Sequence, residues 1–181
     1  MSVSTPGSRA RFRTLPLFVA LATAIALTLT ASASSAQEPA FAGTIEAQTG
    51  IEGGGKGYAA GIRRSRTTLR FGAEGWIDED PVNRLSAFFL VELEPYAGVG
   101  AEVRYTRVFW EDFSVFAGVT GIVAPQQLMG VTAGFGWRPL FTESFGITVG
   151  PAVTSYFIGN DLPDGFVLWQ ANLQAGARVE F

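Results

Sequence analysis

The sequence predicts an all-β fold in which eight antiparallel strands close, up-and-down, into one barrel. Three observations carry this. Apolar and polar residues alternate with period two from Phe41 onward, turn residues interrupt the alternation at seven places, and no helical period is sustained beyond that point. Composition agrees: of 181 residues, 48% are hydrophobic and 16% charged, against a usual charged share of about 25%. With 22 glycines and 13% aromatics, so much apolar surface must be covered, which excludes a disordered chain.

The segment before the strands reads as an address. Arg9, Arg11 and Arg13 precede an uncharged run from Leu15 to Thr30, and Ser34 and Ala36 then stand three residues and one residue before a cut ahead of Gln37. Basic, apolar and small-residue regions in that order form a signal peptide, here residues 1–36, leaving 37–181 as the barrel. Ala33 offers an alternative cut site. A membrane-anchoring helix competes, but the run is about 15 residues long where a spanning helix wants about 20. Losing Arg9, Arg11 and Arg13 takes the basic side chains from 13 to 10 against 16 acidic ones, a net charge of −6. Nothing in that balance points to nucleic acid.

The strands follow in order. The first lies near Thr44–Ile51. In the second, Leu69, Phe71, Ala73 and Ile77 oppose Arg70, Gly72, Glu74 and Trp76. The third, Leu85–Glu94, is less clean, because Phe88 and Leu90 fall on its polar face. In the fourth, Ala97, Val99, Ala101, Val103 and Tyr105 oppose Gly98, Gly100, Glu102 and Arg104. The fifth spans Phe113–Val123, and the sixth sets Val131, Ala133, Phe135 and Trp137 against Thr132, Gly134, Gly136 and Arg138. The seventh, Phe145–Phe157, contains Pro151, which cannot donate to a ladder and suggests a bulge. The eighth alternates most regularly: Ala171, Leu173, Ala175, Ala177, Val179 and Phe181 against Asn172, Gln174, Gly176, Arg178 and Glu180.

The two faces identify the kind of barrel. The apolar face carries almost no charge, and its aromatics Phe41, Tyr105, Trp137, Phe145, Phe157 and Phe181 sit near strand ends, as interfacial girdles do. The other face mixes glycines with charges of both signs, namely Glu46, Arg70, Glu74, Glu92, Glu94, Glu102, Arg104, Arg138, Arg178 and Glu180. An eight-stranded barrel has an interior that side chains fill, and glycines leave room there for long Arg and Glu to pair. A soluble barrel would scatter Lys and Glu outward, yet the chain has one lysine, Lys56. The expectation is a transmembrane β-barrel, closed because hydrocarbon tolerates no open sheet edge. An even strand number puts both termini on one side, for an exported barrel the periplasm.

On these residues the chain resembles the small eight-stranded outer-membrane barrels, of the OmpX and OmpA membrane-domain type, from about Phe41 to Phe181. The most specific residue is Phe181, closing the alternation of Leu173, Ala175, Ala177 and Val179. The resemblance implies outer-membrane localisation and recognition by the barrel-assembly machinery through that last strand. One departure is plain: the outer loops, Glu52–Arg66, Glu94–Tyr96, Ala124–Gln127 and Gly159–Phe166, include two very short ones, where such barrels usually have long outer loops.

The chain contains no histidine and no cysteine. The barrel enzymes this size resembles, lipid A acyltransferases and deacylases, depend on a histidine base, as do outer-membrane phospholipases, so Ser-His or Cys-His chemistry is excluded. Carboxylates remain. Glu92 and Glu94 share a strand face near Glu74 or Glu102, but with Arg70, Arg104 and Arg178 on equivalent faces they read as an internal ion network. Gly50, Gly55 and Lys56 have the spacing of a phosphate-binding loop, but Gly57 replaces its Ser or Thr and no helix follows. No cofactor is implied, and scattered carboxylates make no metal site.

Lys56, Arg63, Arg64 and Arg66 crowd the first outer loop, offset only by Glu52, while the opposite turns carry Asp78, Glu79, Asp80, Glu111, Asp112 and Glu143. Basic outside and acidic inside suits the phosphates of lipopolysaccharide. The expected function is therefore a non-enzymatic integral outer-membrane protein, with a role in envelope integrity or surface interaction. A narrow channel for small or apolar solutes is the alternative if the interior charges do not pair. A soluble periplasmic lipocalin-like barrel is a further alternative, and it requires the apolar face to point inward.

Overall fold

A computed structural model describes residues 41–56, 62–77, 82–94, 96–110, 112–160 and 162–181, with the backbone alone at Lys56, Ile62 and Arg63. The expected signal peptide, 1–36, lies outside the described residues. Eight strands follow in chain order: β1 Phe41–Lys56, β2 Ile62–Trp76, β3 Asn83–Glu94, β4 Gly98–Phe109, β5 Phe113–Ala124, β6 Leu128–Trp137, β7 Phe145–Gly159 and β8 Phe166–Glu180. Each pairs antiparallel with its chain neighbour, and β1 pairs with β8 to close the barrel. The closing seam runs without a register shift from Ala42↔Glu180 to Lys56↔Phe166. The expected fold and strand count are found.

Away from the register shifts, side chains alternate across the wall. In β4, Glu102, Arg104 and Thr106 are buried while Ala101, Val103, Tyr105 and Arg107 are exposed. The large exposed residues include Ile45, Phe71, Leu85, Phe89, Val119, Val131, Val153 and Leu173, whereas the buried set is mostly polar or charged. The polar face is inside and the apolar face outside, the reverse of what a lipocalin-like barrel requires.

Among the described residues, the outward rings divide unequally between the two ends. Phe41, Tyr105, Trp110, Trp137, Phe141, Phe145 and Phe181 are exposed at the end that holds the termini; Tyr96 and Phe157 are exposed at the far end. Four register shifts, at Glu52/Gly53, Thr67/Thr68, Val99/Gly100 and Met129/Gly130, all fall toward the far end.

Three sequence-based expectations are corrected. The first outer connection is shorter than 52–66, because Gly53, Gly54 and Gly55 stay in β1 and pair with Trp169, Leu168 and Val167 of β8. A side chain at Gly53 would run into the Trp169 ring, and one at Gly54 into Phe166, so these glycines make room for rings rather than flexibility. Pro151 causes no bulge: its register with Leu173 is continuous, and opposite β6 the ladder lapses between Gly134↔Ala152 and Trp137↔Val149 without shifting. Phe88 and Leu90, on the polar face of β3, point into the barrel and are buried there.

Candidate functional site

The candidate site is the lumen, and its content follows from strand parity. Every second residue enters a space only about one side chain deep, so charges on neighbouring strands meet. Six arginines (66, 70, 84, 104, 138, 178) and six glutamates (46, 52, 74, 92, 102, 180) are buried there among the described residues. Their formal charges cancel.

They form three groups along the axis. Nearest the termini, Glu74 accepts from Arg84 Nη1 at 3.0 Å, Arg138 Nη2 at 2.6 Å and Ser86 Oγ at 3.1 Å. Glu180 accepts from Arg84 Nη1 at 3.3 Å and lies 3.2 Å from Arg178 Nε. At mid-height Glu102 accepts from Arg70 Nη2 at 3.2 Å and Arg104 Nε at 2.9 Å, and Arg104 Nη1 reaches both oxygens of Glu46 at 3.3 Å. Toward the far end Arg66 bridges Glu52 and Glu92, and Arg64 Nε donates to Glu52 at 2.7 Å. Charges taken this far from water persist only when paired, which each group achieves.

Arg104 sits at the centre of the fill. Its guanidinium lies 4.7 Å from the Phe88 ring centre and 4.1 Å from that of Phe116, so two aromatic faces and two carboxylates hold one cation. Both rings depend on glycine. Gly72 stands directly across from Phe88 and Gly134 directly across from Phe116, and a Cβ at either would meet the ring. Gly72, Phe88, Arg104, Phe116 and Gly134 thus make one bar across the lumen.

Beyond it the fill changes character. Phe88, Leu90, Ile122, Leu128, Tyr156 and Leu168 pack together, with Leu162 and Phe166 against them. Arg66 faces the Tyr156 ring at 5.6 Å, which joins the far ion group to this apolar plug. On the terminal side of Arg104 a cavity of about 10 Å3, lined by Thr106, Ser114, Thr148 and Gln174 among others, has room for about one water molecule.

With this geometry in view, comparison with known proteins adds two solved structures. The chain is similar to Neisserial surface protein A (NspA), at 14% identity over 78% of this chain and 97% of that one, with a TM-score of 0.44. It is also similar to the N-terminal β-barrel domain of Pseudomonas aeruginosa OprF, at 16% identity over 75% of this chain and 98% of that one, with a TM-score of 0.47. The likeness is one of fold. No family model matches the chain, and no curated protein matches it.

The sequence-predicted interior charges Glu46, Arg70, Glu74, Glu92, Glu102, Arg104, Arg138, Arg178 and Glu180 all enter the lumen. Glu94 does not: the shift at Thr67/Thr68 leaves it exposed at the rim, with the Ser65 hydroxyl 3.5 Å away. Glu92 and Glu94 are therefore not brought together, and Glu92 is committed to Arg66. Arg66, expected in a surface loop, is a second correction. It lies in β2, buried between two carboxylates, and cannot face lipopolysaccharide. Arg64 is about one-third exposed and lies 5.6 Å from the Tyr96 ring, while Lys56 and Arg63 fall at the far ends of β1 and β2. Gly50 and Gly55 belong to an extended strand, so no phosphate-binding loop forms. Sequence reasoning missed Glu52 and Arg84 as lumen residues, although each lies an even number of positions from a recognised inward charge on its strand.

Proposed function

We propose that this chain is a non-enzymatic integral outer-membrane barrel with a closed lumen, serving envelope integrity or surface interaction rather than solute passage. The observation that carries the reading is the pair of faces: a wall apolar toward the outside around an interior of twelve mutually paired charges. Such a wall in water would expose far more apolar surface than a soluble monomer carries. The fill supports the closed state, since the ion groups, the Arg104 bar and the apolar plug follow one another along the lumen. Absence of histidine and cysteine supports the non-enzymatic reading.

Two partners belong to the same proposal. Lys56, Arg63 and Arg64 at the far rim suit lipopolysaccharide phosphates, and β8 with Phe181 suits the barrel-assembly machinery. The test is the purified chain in detergent, run unheated and boiled on a denaturing gel, then placed in a planar bilayer. Two mobilities without steady openings are expected. A single mobility with recovery in the soluble fraction would overturn the membrane reading, and steady openings would overturn the closed lumen.

A further inference from the structure

Among the described residues, the outward faces of β1–β8 carry two exposed charged side chains, Glu94 at the far rim of β3 and, at the opposite end, Arg107 near the terminal end of β4. Arg107 lies between Tyr105 and Phe109 along its strand, and has Asn83 of β3 and Val115 of β5 as lateral neighbours. No carboxylate pairs with it among the described residues. Each other arginine whose side chain is described is matched to a glutamate.

A second observation points to the same spot. Trp110, three residues on, is 81% exposed and held at φ 49°, a left-handed conformation that bulky residues rarely adopt. Its ring packs edge-on to Phe109 at 5.7 Å and Phe113 at 6.4 Å, and Phe113 lies 5.6 Å from Phe135. Backbone strain thus holds an exposed indole three residues along the chain from a guanidinium that no described carboxylate pairs, at the edge of an apolar wall.

We infer that this corner is a binding site for a glycerophospholipid. The headgroup phosphodiester is held by the Arg107 fork, the indole of Trp110 sits at the headgroup level, and the acyl chains lie along Val103, Val115 and Phe135. A guanidinium donates two parallel hydrogen bonds to a phosphate, and Trp belongs at the boundary between headgroup and hydrocarbon. Charge complementarity selects an anion, and the apolar wall directly below selects one with chains attached. The end that holds the termini faces the phospholipid leaflet if the membrane reading above is right, and the inference rests on that reading.

The test uses the folded full-length barrel in detergent, with 1-palmitoyl-2-oleoyl phosphatidylglycerol added and bound lipid counted by native mass spectrometry. The unaltered chain should retain one such lipid, and Arg107→Gln should retain about tenfold less, the loss of one charge-assisted contact. Arg107→Lys, which keeps the charge without the fork, should fall between them and decides the matter if the Gln variant does not fold. Retention equal to that of the unaltered chain overturns the inference. So does displacement of the lipid by inorganic phosphate at equal concentration, which would mark a free-phosphate site. Heated and unheated mobility is read on the same samples. A two-band pattern with equal retention overturns the lipid site alone, whereas a single band in the unaltered chain overturns the membrane reading beneath it.

Discussion

In the half of the lumen nearer the termini, Arg84, Arg138 and Arg178 converge on Glu74 and Glu180, whereas the far half sets Leu90, Ile122, Leu128, Tyr156 and Leu168 in contact around a single ion group. The ladders differ in step with the fill. The ion-filled half keeps its register, and all four shifts lie in the other. Long Arg and Glu side chains reach their partners from a regular wall. Rings and branched chains fill space only where their Cα atoms are correctly aimed, and an extra residue in a strand re-aims them. One lumen is thus closed by two kinds of physics, which should fail differently.

The largest effect, shared with Leu90→Ala, is expected of Glu102→Gln. It leaves Arg70 and Arg104 with Glu46 as their one remaining carboxylate, and unfolding in urea from detergent micelles should show a loss of about 3 kcal/mol. A loss below about 1 kcal/mol would mean that the mid-lumen charges are solvated. In the apolar half, Leu90→Ala should cost about 3 kcal/mol by cavity formation, in the same assay, without steady openings in a bilayer. If that variant conducts, the apolar plug and not the Arg104 bar is what closes the lumen. Gly72→Val tests the bar from outside the charges. Its side chain would strike the Phe88 ring and should cost about 2 kcal/mol by overpacking. The smallest effect belongs to the rim: Arg64→Gln should change stability by about 1 kcal/mol or less, as a partly exposed ion pair does. Combined with Lys56→Gln and Arg63→Gln it should lower lipopolysaccharide retention during purification. Arg66→Gln should lower stability instead, and the reverse result would refute the assignment of these residues to rim and lumen.

What could be read from the sequence follows the same division. The eighth strand, with Leu173 and Val179 out and Gln174 and Arg178 in, was legible because alternation is a local signal, and so were the strand count and nine of the twelve interior charges. Phe88 and Leu90 were not, because nothing local distinguishes an inward apolar residue that fills the lumen from one that breaks the pattern. Gly53–Gly55 were misread for a similar reason. A glycine run signals a loop unless a ring from another strand occupies the missing side chains, and Trp169 and Phe166 lie more than a hundred residues away in sequence. Extending the loop through that run also carried Arg66 to the surface. Which charge meets which, Arg66 with Glu92 or Arg138 with Glu74, depends on register across several strands, and no local pattern encodes it.

The alternation of β8 has a consequence before any barrel exists. Ala171, Leu173, Ala175, Ala177 and Val179 are separated by Asn172, Gln174, Gly176, Arg178 and Glu180, so coiling the segment into a helix would spread the polar groups around its whole circumference. No stretch of such a chain reaches the roughly 20 apolar residues at which a bilayer retains a translocating segment. The apolar outer surface is therefore hidden in the primary structure, one residue at a time. It comes into being only when pairing sorts odd residues from even ones, so the unpaired chain is a water-compatible polymer and the closed barrel presents an apolar wall.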